Sequence, residues 1–232
     1  MGFRFALGLF VFSLNAGAVG IQLINGAPAT AGQYPEVVQI LGDGKCTATL
    51  VGPQILLTAA HCGEVGEEVA FSYKGKSYTA KIAHSALYAD YEHDVAVAYL
   101  PAAIPGATPM SVGGSASYDD TLLLMGYGCT KKGGGPSDGV LRYGTTSIID
   151  VDAVFFTSHS SDQQAALCFG DSGGPAFVKA GNQLVLVGIN SRGNIKNVNI
   201  NTRLDTPESQ DFLKEAAQVL KMDICGVTKA CP

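Results

Sequence analysis

The segment Gly170-Asp171-Ser172-Gly173-Gly174-Pro175 sets a serine hydroxyl among small residues that let the chain turn sharply and let another molecule approach the backbone closely. A serine hydroxyl is a weak nucleophile at neutral pH, so chemistry at Ser172 needs a base to take its proton and a carboxylate to orient that base. Both lie upstream, as His61 in Thr58-Ala59-Ala60-His61-Cys62 and Asp94 in His93-Asp94-Val95-Ala96-Val97. The chain order is base, carboxylate, nucleophile. A Gly-x-Ser-x-Gly pentapeptide also spells the nucleophile elbow of α/β-hydrolases, but there the histidine follows the serine. All four histidines here, His61, His84, His93 and His159, precede Ser172, which excludes an esterase on that fold. The subtilisin order needs an aspartate before the base, and Asp43, the candidate, sits in a Gly-Asp-Gly turn. His93 reads as a surface neighbour of Asp94.

Together these segments resemble the trypsin and chymotrypsin family of serine peptidases. Leu23-Ile24-Asn25-Gly26 with Ala29 is similar to that family's mature N-terminus, and Ser191-Arg192-Gly193 to its substrate-binding segment. The resemblance implies an all-β fold of two packed six-stranded β-barrels, with the active site in the cleft between them and a C-terminal α-helix. It implies His61 as general base, Asp94 as the group that fixes the imidazole, and Ser172 as the nucleophile of peptide-bond hydrolysis through an acyl-enzyme. The backbone N–H groups of Gly170 and Ser172 would form the oxyanion hole. Asp171 would pair with the amine of Leu23 once the preceding residues are removed, which makes the chain a zymogen. Gln22 stands before that cut, where relatives activated by trypsin-like enzymes carry Arg or Lys, so an activating protease of another specificity, or further trimming, is required.

Six residues before the nucleophile, where trypsin-like members carry an aspartate for basic side chains, the chain has Ala166, followed by Leu167. A pocket floored by these two holds no charge for Arg or Lys, and burying such a cation unpaired is costly. Gly193 is expected to leave the pocket mouth open and Asn199 to form its inner wall, across a segment shorter than in most relatives. Small or apolar side chains are the expected preference. Arg192 replaces the family's usual tryptophan in a chain with no tryptophan at all, so the next subsite is expected to favour acidic groups.

The implied partners are protein or peptide substrates, an activating protease and a protein inhibitor; the chain is expected to be a monomer without cofactor. The alternative class is a protease-like binding protein that keeps the fold without cleaving. Binding alone, however, places no demand on His61, Asp94, Gly170 and Ser172 together.

The elements that must position these residues follow an all-β pattern. Short apolar or alternating runs at 37–41, 47–51, 55–58, 78–82, 95–100, 121–125 and 184–189 are separated by glycine, proline and aspartate. A Pro/Gly-rich segment at 101–109 looks like a linker between two halves. One helix is predicted near the end, with Thr206 as cap, Pro207 in the first turn and Glu208 near the positive end of the dipole. Phe212, Leu213, Ala216, Ala217 and Leu220 recur on one face, which is expected to pack on the second barrel. The expected organisation is a signal peptide at 1–18, a short propeptide at 19–22 and a peptidase domain at 23–232. Within it the first barrel spans about 23–105, the second about 106–205 and the helix about 206–222.

Residues 1–18 combine a positive start, a short apolar run and the small-residue site Ala16-Gly17-Ala18, as a secretory signal does. The expected location is secreted or periplasmic. Six cysteines, an even number, fit an oxidising compartment. By resemblance Cys46 pairs with Cys62 beside the catalytic histidine, worth roughly 3 kcal/mol in the chain-entropy account. Cys225 and Cys231 are expected to pair locally, which leaves Cys129 and Cys168 for each other. The family's usual partner for the cysteine at 168, just after the Ser-x-Gly segment, is absent here. No Cys-x-x-Cys or His-x-x-x-His spacing supports a metal site. A formal net charge of −5 argues against nucleic acid or an anionic membrane as partner. Gly75-Lys76-Ser77 lacks the earlier glycine of a phosphate loop and reads as a hairpin turn, and 131–136 reads as a mobile surface loop.

Overall fold

A computed structural model of the chain describes residues 23–42, 46–85, 93–131, 133–161 and 163–231; the expected signal peptide and propeptide lie outside them, as does Asp43. Among the described residues thirteen strands and one α-helix follow in chain order: β1 (Ala27–Pro28), β2 (Val37–Leu41), β3 (Cys46–Gly52), β4 (Ile55–Thr58), β5 (Glu68–Tyr73), β6 (Lys76–Ser85), β7 (Ala96–Tyr99), β8 (Thr121–Gly126), β9 (Arg142–Val151), β10 (Phe155–His159), β11 (Pro175–Ala180), β12 (Gln183–Gly193), β13 (Val198–Arg203) and α1 (Pro207–Leu220). The strands β2-β3-β4-β7-β6-β5 close a first antiparallel barrel. The order β9-β10-β13-β12-β11-β8 closes through β8 pairing with β9 into a second, as the fold expectation required.

Packing explains why exposure alternates along some strands while others are buried throughout. In β5 every second residue is buried, because Val69, Phe71 and Tyr73 fill the first barrel while the residues between them face solvent. In β3 all seven residues are buried, since one face fills the barrel with Ala48 and Leu50 while Val51 on the other meets the second barrel. Ile55, Leu57, Val95 and Val97 of the first half meet Met125, Phe177, Leu186 and Ile189 of the second in one cluster between the barrels. That shared apolar seam fixes how the two halves of the site face each other.

Two placements differ from the pattern reading. The N-terminal strand β1 joins the second barrel, pairing with β9, and Leu23 is fully buried among Leu122, Leu124 and Phe156 of that barrel. The helix was expected on the second barrel, yet Leu213, Ala216 and Ala217 pack into the inter-barrel cluster with Ile55, Val95 and Val97 of the first. Its start agrees with the expectation: Thr206 Oγ1 accepts from the Ser209 N–H at 3.2 Å, a cap worth about 1 kcal/mol. Among the described residues no helix is long and apolar enough to cross a membrane.

Candidate active site

His61 sits in a short 3-10 turn, Ala60–Cys62, directly after β4, and Cys62 is bonded to Cys46 at the start of β3. The turn is thereby tied to the first barrel at both ends. Asp94, just before β7, is buried while the His61 side chain is partly exposed. Asp94 Oδ2 lies 2.7 Å from His61 Nδ1, and Oδ1 accepts the His61 backbone N–H at 3.0 Å. A third bond comes from Ser191 in β12, whose hydroxyl donates to Oδ2 at 2.6 Å. Burial pushes the Asp94 carboxyl up, but the bonds and charge of His61 and the Ser191 hydroxyl outweigh it and hold the group below the usual carboxylate value. Asp94 therefore stays ionised at neutral pH. His93, expected at the surface, is half-buried because the chain enters β7 beside it.

Ser172 comes from the other barrel, in the loop before β11, and lines a cavity of about 410 Å³ together with His61 and Asp94. Gly170 and Gly173 hold φ of +100° and +80°, which side chains rarely adopt. A Cβ on Gly173 would also collide with Thr58 Oγ1 and the carbonyl of Thr47. The Ser172 loop thus presses closely on the first barrel, and only glycine fits at position 173.

Asp171 does not line the cavity; its carboxylate accepts the backbone N–H of Gly128 and of Cys168, each at 2.8 Å. It is fully buried, and burial pushes its carboxyl up to about 7 against the two N–H bonds and the charge of Arg142. Arg142 itself makes a two-pronged pair with Asp138 at 2.9 and 3.0 Å. The disulfide Cys129–Cys168 joins the segments that carry the two N–H donors. Cys225 pairs with Cys231 at the C-terminus.

The cavity wall continues through Leu167, Cys168, Phe169, Ser191, Arg192, Gly193 and Ile195. Ala166 and Asn199, expected to line it, lie behind it instead. Ala166 is fully buried and donates its N–H to the Ile24 carbonyl at 2.9 Å. The Asn199 side chain is spent on the scaffold: its oxygen accepts the Leu167 N–H at 2.7 Å and its amide donates to the Ala165 carbonyl at 3.0 Å. It braces Leu167 from the rear.

Ile195 was missed, because only the tight turn at 194–197 brings it to the wall. Asn194 Oδ1 accepts the N–H groups of Lys196, Asn197 and Val198 at 3.0, 2.9 and 2.9 Å, closing that turn. The turn forces Ile195 to φ 58°, a strained conformation for a β-branched residue. Its side chain packs on Ile24, Ala166, Cys129 and Cys168. The Asn-rich turn was the available signal. Arg192 is exposed and its guanidinium lies 4.6 Å from the centre of the Phe155 ring.

Among the described residues one histidine and cysteine group is compact enough for a metal, Cys46, His61 and Cys62, but both sulfurs are joined in the disulfide. A thiolate ligand pair is therefore not on offer. A protein-family model described as Trypsin matches residues 23–209, which takes in both barrels and every cavity-lining residue.

Proposed function

This chain belongs to the trypsin family of serine proteases, which act on proteins and peptides, and we propose that it is an exported endopeptidase working through His61, Asp94 and Ser172. The observation that carries this reading is the 2.7 Å bond between His61 Nδ1 and Asp94 Oδ2 in a cavity that Ser172 also lines. With Nδ1 engaged by the carboxylate, Nε2 is the nitrogen left to act as base. Ser172 Oγ attacks the substrate carbonyl carbon as His61 Nε2 takes its proton. The tetrahedral intermediate collapses when His61 gives that proton to the amide nitrogen, the C–N bond breaks and an acyl-enzyme remains. Water then adds in the same way: His61 takes its proton and returns it to Ser172 Oγ as the acid leaves. The N–H groups of Gly170 and Ser172 serve the negative oxygen of both intermediates, and losing one such donor typically costs about 3 kcal/mol of barrier.

The preferred side chain is small or apolar. Leu167 and Ile195 give the wall no charge, and Ile195 occupies space that a longer side chain would need. Beside it, Arg192 favours a substrate with an acidic group at the next position. The chain is made as a zymogen with a signal at 1–18, and removal of 19–22 frees the Leu23 amine to pair with Asp171. The burial of both residues in the second barrel supports that pairing.

The test is incubation of protein beginning at Leu23 with a peptide library, beside its Ser172→Ala variant. Cleavage after small or apolar residues by the first and none by the second is expected. Cleavage that persists in Ser172→Ala overturns the mechanism, and a preference for Arg or Lys overturns the pocket assignment.

A further inference from the structure

Thr47, the second residue of β3, is fully buried and makes four hydrogen bonds around the nucleophile loop. Its backbone N–H donates to the Ser172 carbonyl at 2.7 Å, and its own carbonyl accepts from Thr58 Oγ1 at 2.9 Å. Its hydroxyl accepts the Tyr127 N–H at 3.1 Å and donates to the Gly170 carbonyl at 2.8 Å. The accepted bond fixes the hydroxyl's direction, so its proton is committed to Gly170.

The peptide unit between Gly170 and Asp171 lies between the two units whose N–H groups face the oxyanion. Gly170 has no Cβ to restrict its rotation, and at φ +100° its conformation is held by bonds rather than by sterics. That peptide unit is bonded on both sides: the Asp171 N–H donates to the Cys168 carbonyl at 3.0 Å, and its carbonyl receives the Thr47 hydroxyl. The cysteine end belongs to the second barrel, where Ser172 also resides. The threonine end belongs to the first, which carries His61.

We infer that Thr47 is a positioning residue for the oxyanion hole, a hydroxyl on the first barrel that holds the Gly170 peptide of the second in register with His61. This rests on the serine-protease reading above. Because the hole binds the negative oxygen of the intermediate and not the neutral substrate, the hydroxyl acts on turnover more than on substrate binding. A valine has the shape of threonine but leaves the Gly170 carbonyl and the Tyr127 N–H without this partner, whereas serine keeps the hydroxyl.

The experiment measures kcat and KM of the processed full chain as wild type, Thr47→Val and Thr47→Ser on one peptide substrate, with inhibition by a peptide boronate that mimics the tetrahedral intermediate. Thr47→Val is expected to lower kcat by about 10- to 100-fold with KM within about twofold, and to weaken the boronate by a similar factor. Thr47→Ser is expected to keep kcat within about threefold. The inference is overturned if Thr47→Val matches the wild type, if its loss appears in KM alone, or if Thr47→Ser loses as much. Should Thr47→Val fail to accumulate as folded protein, Thr47→Ala is judged by the same criteria. A wild type that cleaves nothing defeats the protease reading itself; a wild type that cleaves beside an equally active Thr47→Val defeats only the positioning role.

Discussion

Ser191 Oγ lies 2.6 Å from Asp94 Oδ2, the same oxygen that meets His61 Nδ1 at 2.7 Å. The segment expected to bind substrate thus also holds the carboxylate ionised, from the opposite barrel. Ser191→Ala removes one of the bonds that offset burial, so the Asp94 carboxyl should rise. The expected result is a fall in kcat/KM of about tenfold, with the acidic limb of its pH profile displaced to higher pH. An unchanged profile would contradict the assigned bond.

Asp171 should make the unprocessed protein lose stability as pH rises. Its carboxyl is raised from the ordinary 3.8 to about 7 in the fold. Below about pH 4 both folded and unfolded chains hold the proton, and this residue adds no pH dependence. From there to about pH 7 the unfolded chain releases it while the folded chain keeps it, at a cost of roughly 4 kcal/mol, and above that the contribution is flat. Melting curves of the unprocessed chain and its Asp171→Asn variant should therefore draw apart between those limits, the wild type losing ground as pH rises. A pH-independent difference would refute the raised carboxyl of buried Asp171. In the processed chain the freed Leu23 amine should shrink the effect.

Ile195→Gly should widen specificity. Glycine suits φ 58° and removes the side chain from the cavity wall. The expected outcome is a gain of about tenfold in kcat/KM for substrates with larger apolar side chains, relative to small ones. Equal ratios in the two proteins would show that Ile195 does not limit the pocket.

Replacing Cys129 and Cys168 together by alanine opens a loop of sequence separation 39 and should lower stability by about 4 kcal/mol in the chain-entropy account. The same change loosens the Gly128 and Cys168 N–H groups that hold Asp171, so kcat should fall as well. Denaturant titration and steady-state kinetics on the double variant read the two effects separately.

Runs such as 47–51, 55–58 and 184–189 were readable because short apolar stretches between turn residues report buried strands, whereas β1, β5, β9, β10, β11 and β13 lay outside the runs read. His61, Asp94 and Ser172 stood out because their motifs are local, and the fold gathers them in one cavity. What stayed hidden depends on contacts between distant segments. Thr47 meets Gly170 across 123 residues, and nothing in Cys46-Thr47-Ala48 signals it. Asn199 was misplaced because counting along β13 gives its position but not that its amide is consumed behind Leu167. The helix's apolar stripe announced a packing face without naming which barrel receives it.

The proposed catalysis depends on activation of Ser172 by His61. Protein beginning at Leu23 is treated with a fluorophosphonate, and the adduct is mapped by mass spectrometry beside the His61→Ala variant. A single adduct on Ser172, formed at least about a hundredfold more slowly when His61 is absent, is the predicted result. No adduct on Ser172, or one formed equally fast in His61→Ala, would contradict it.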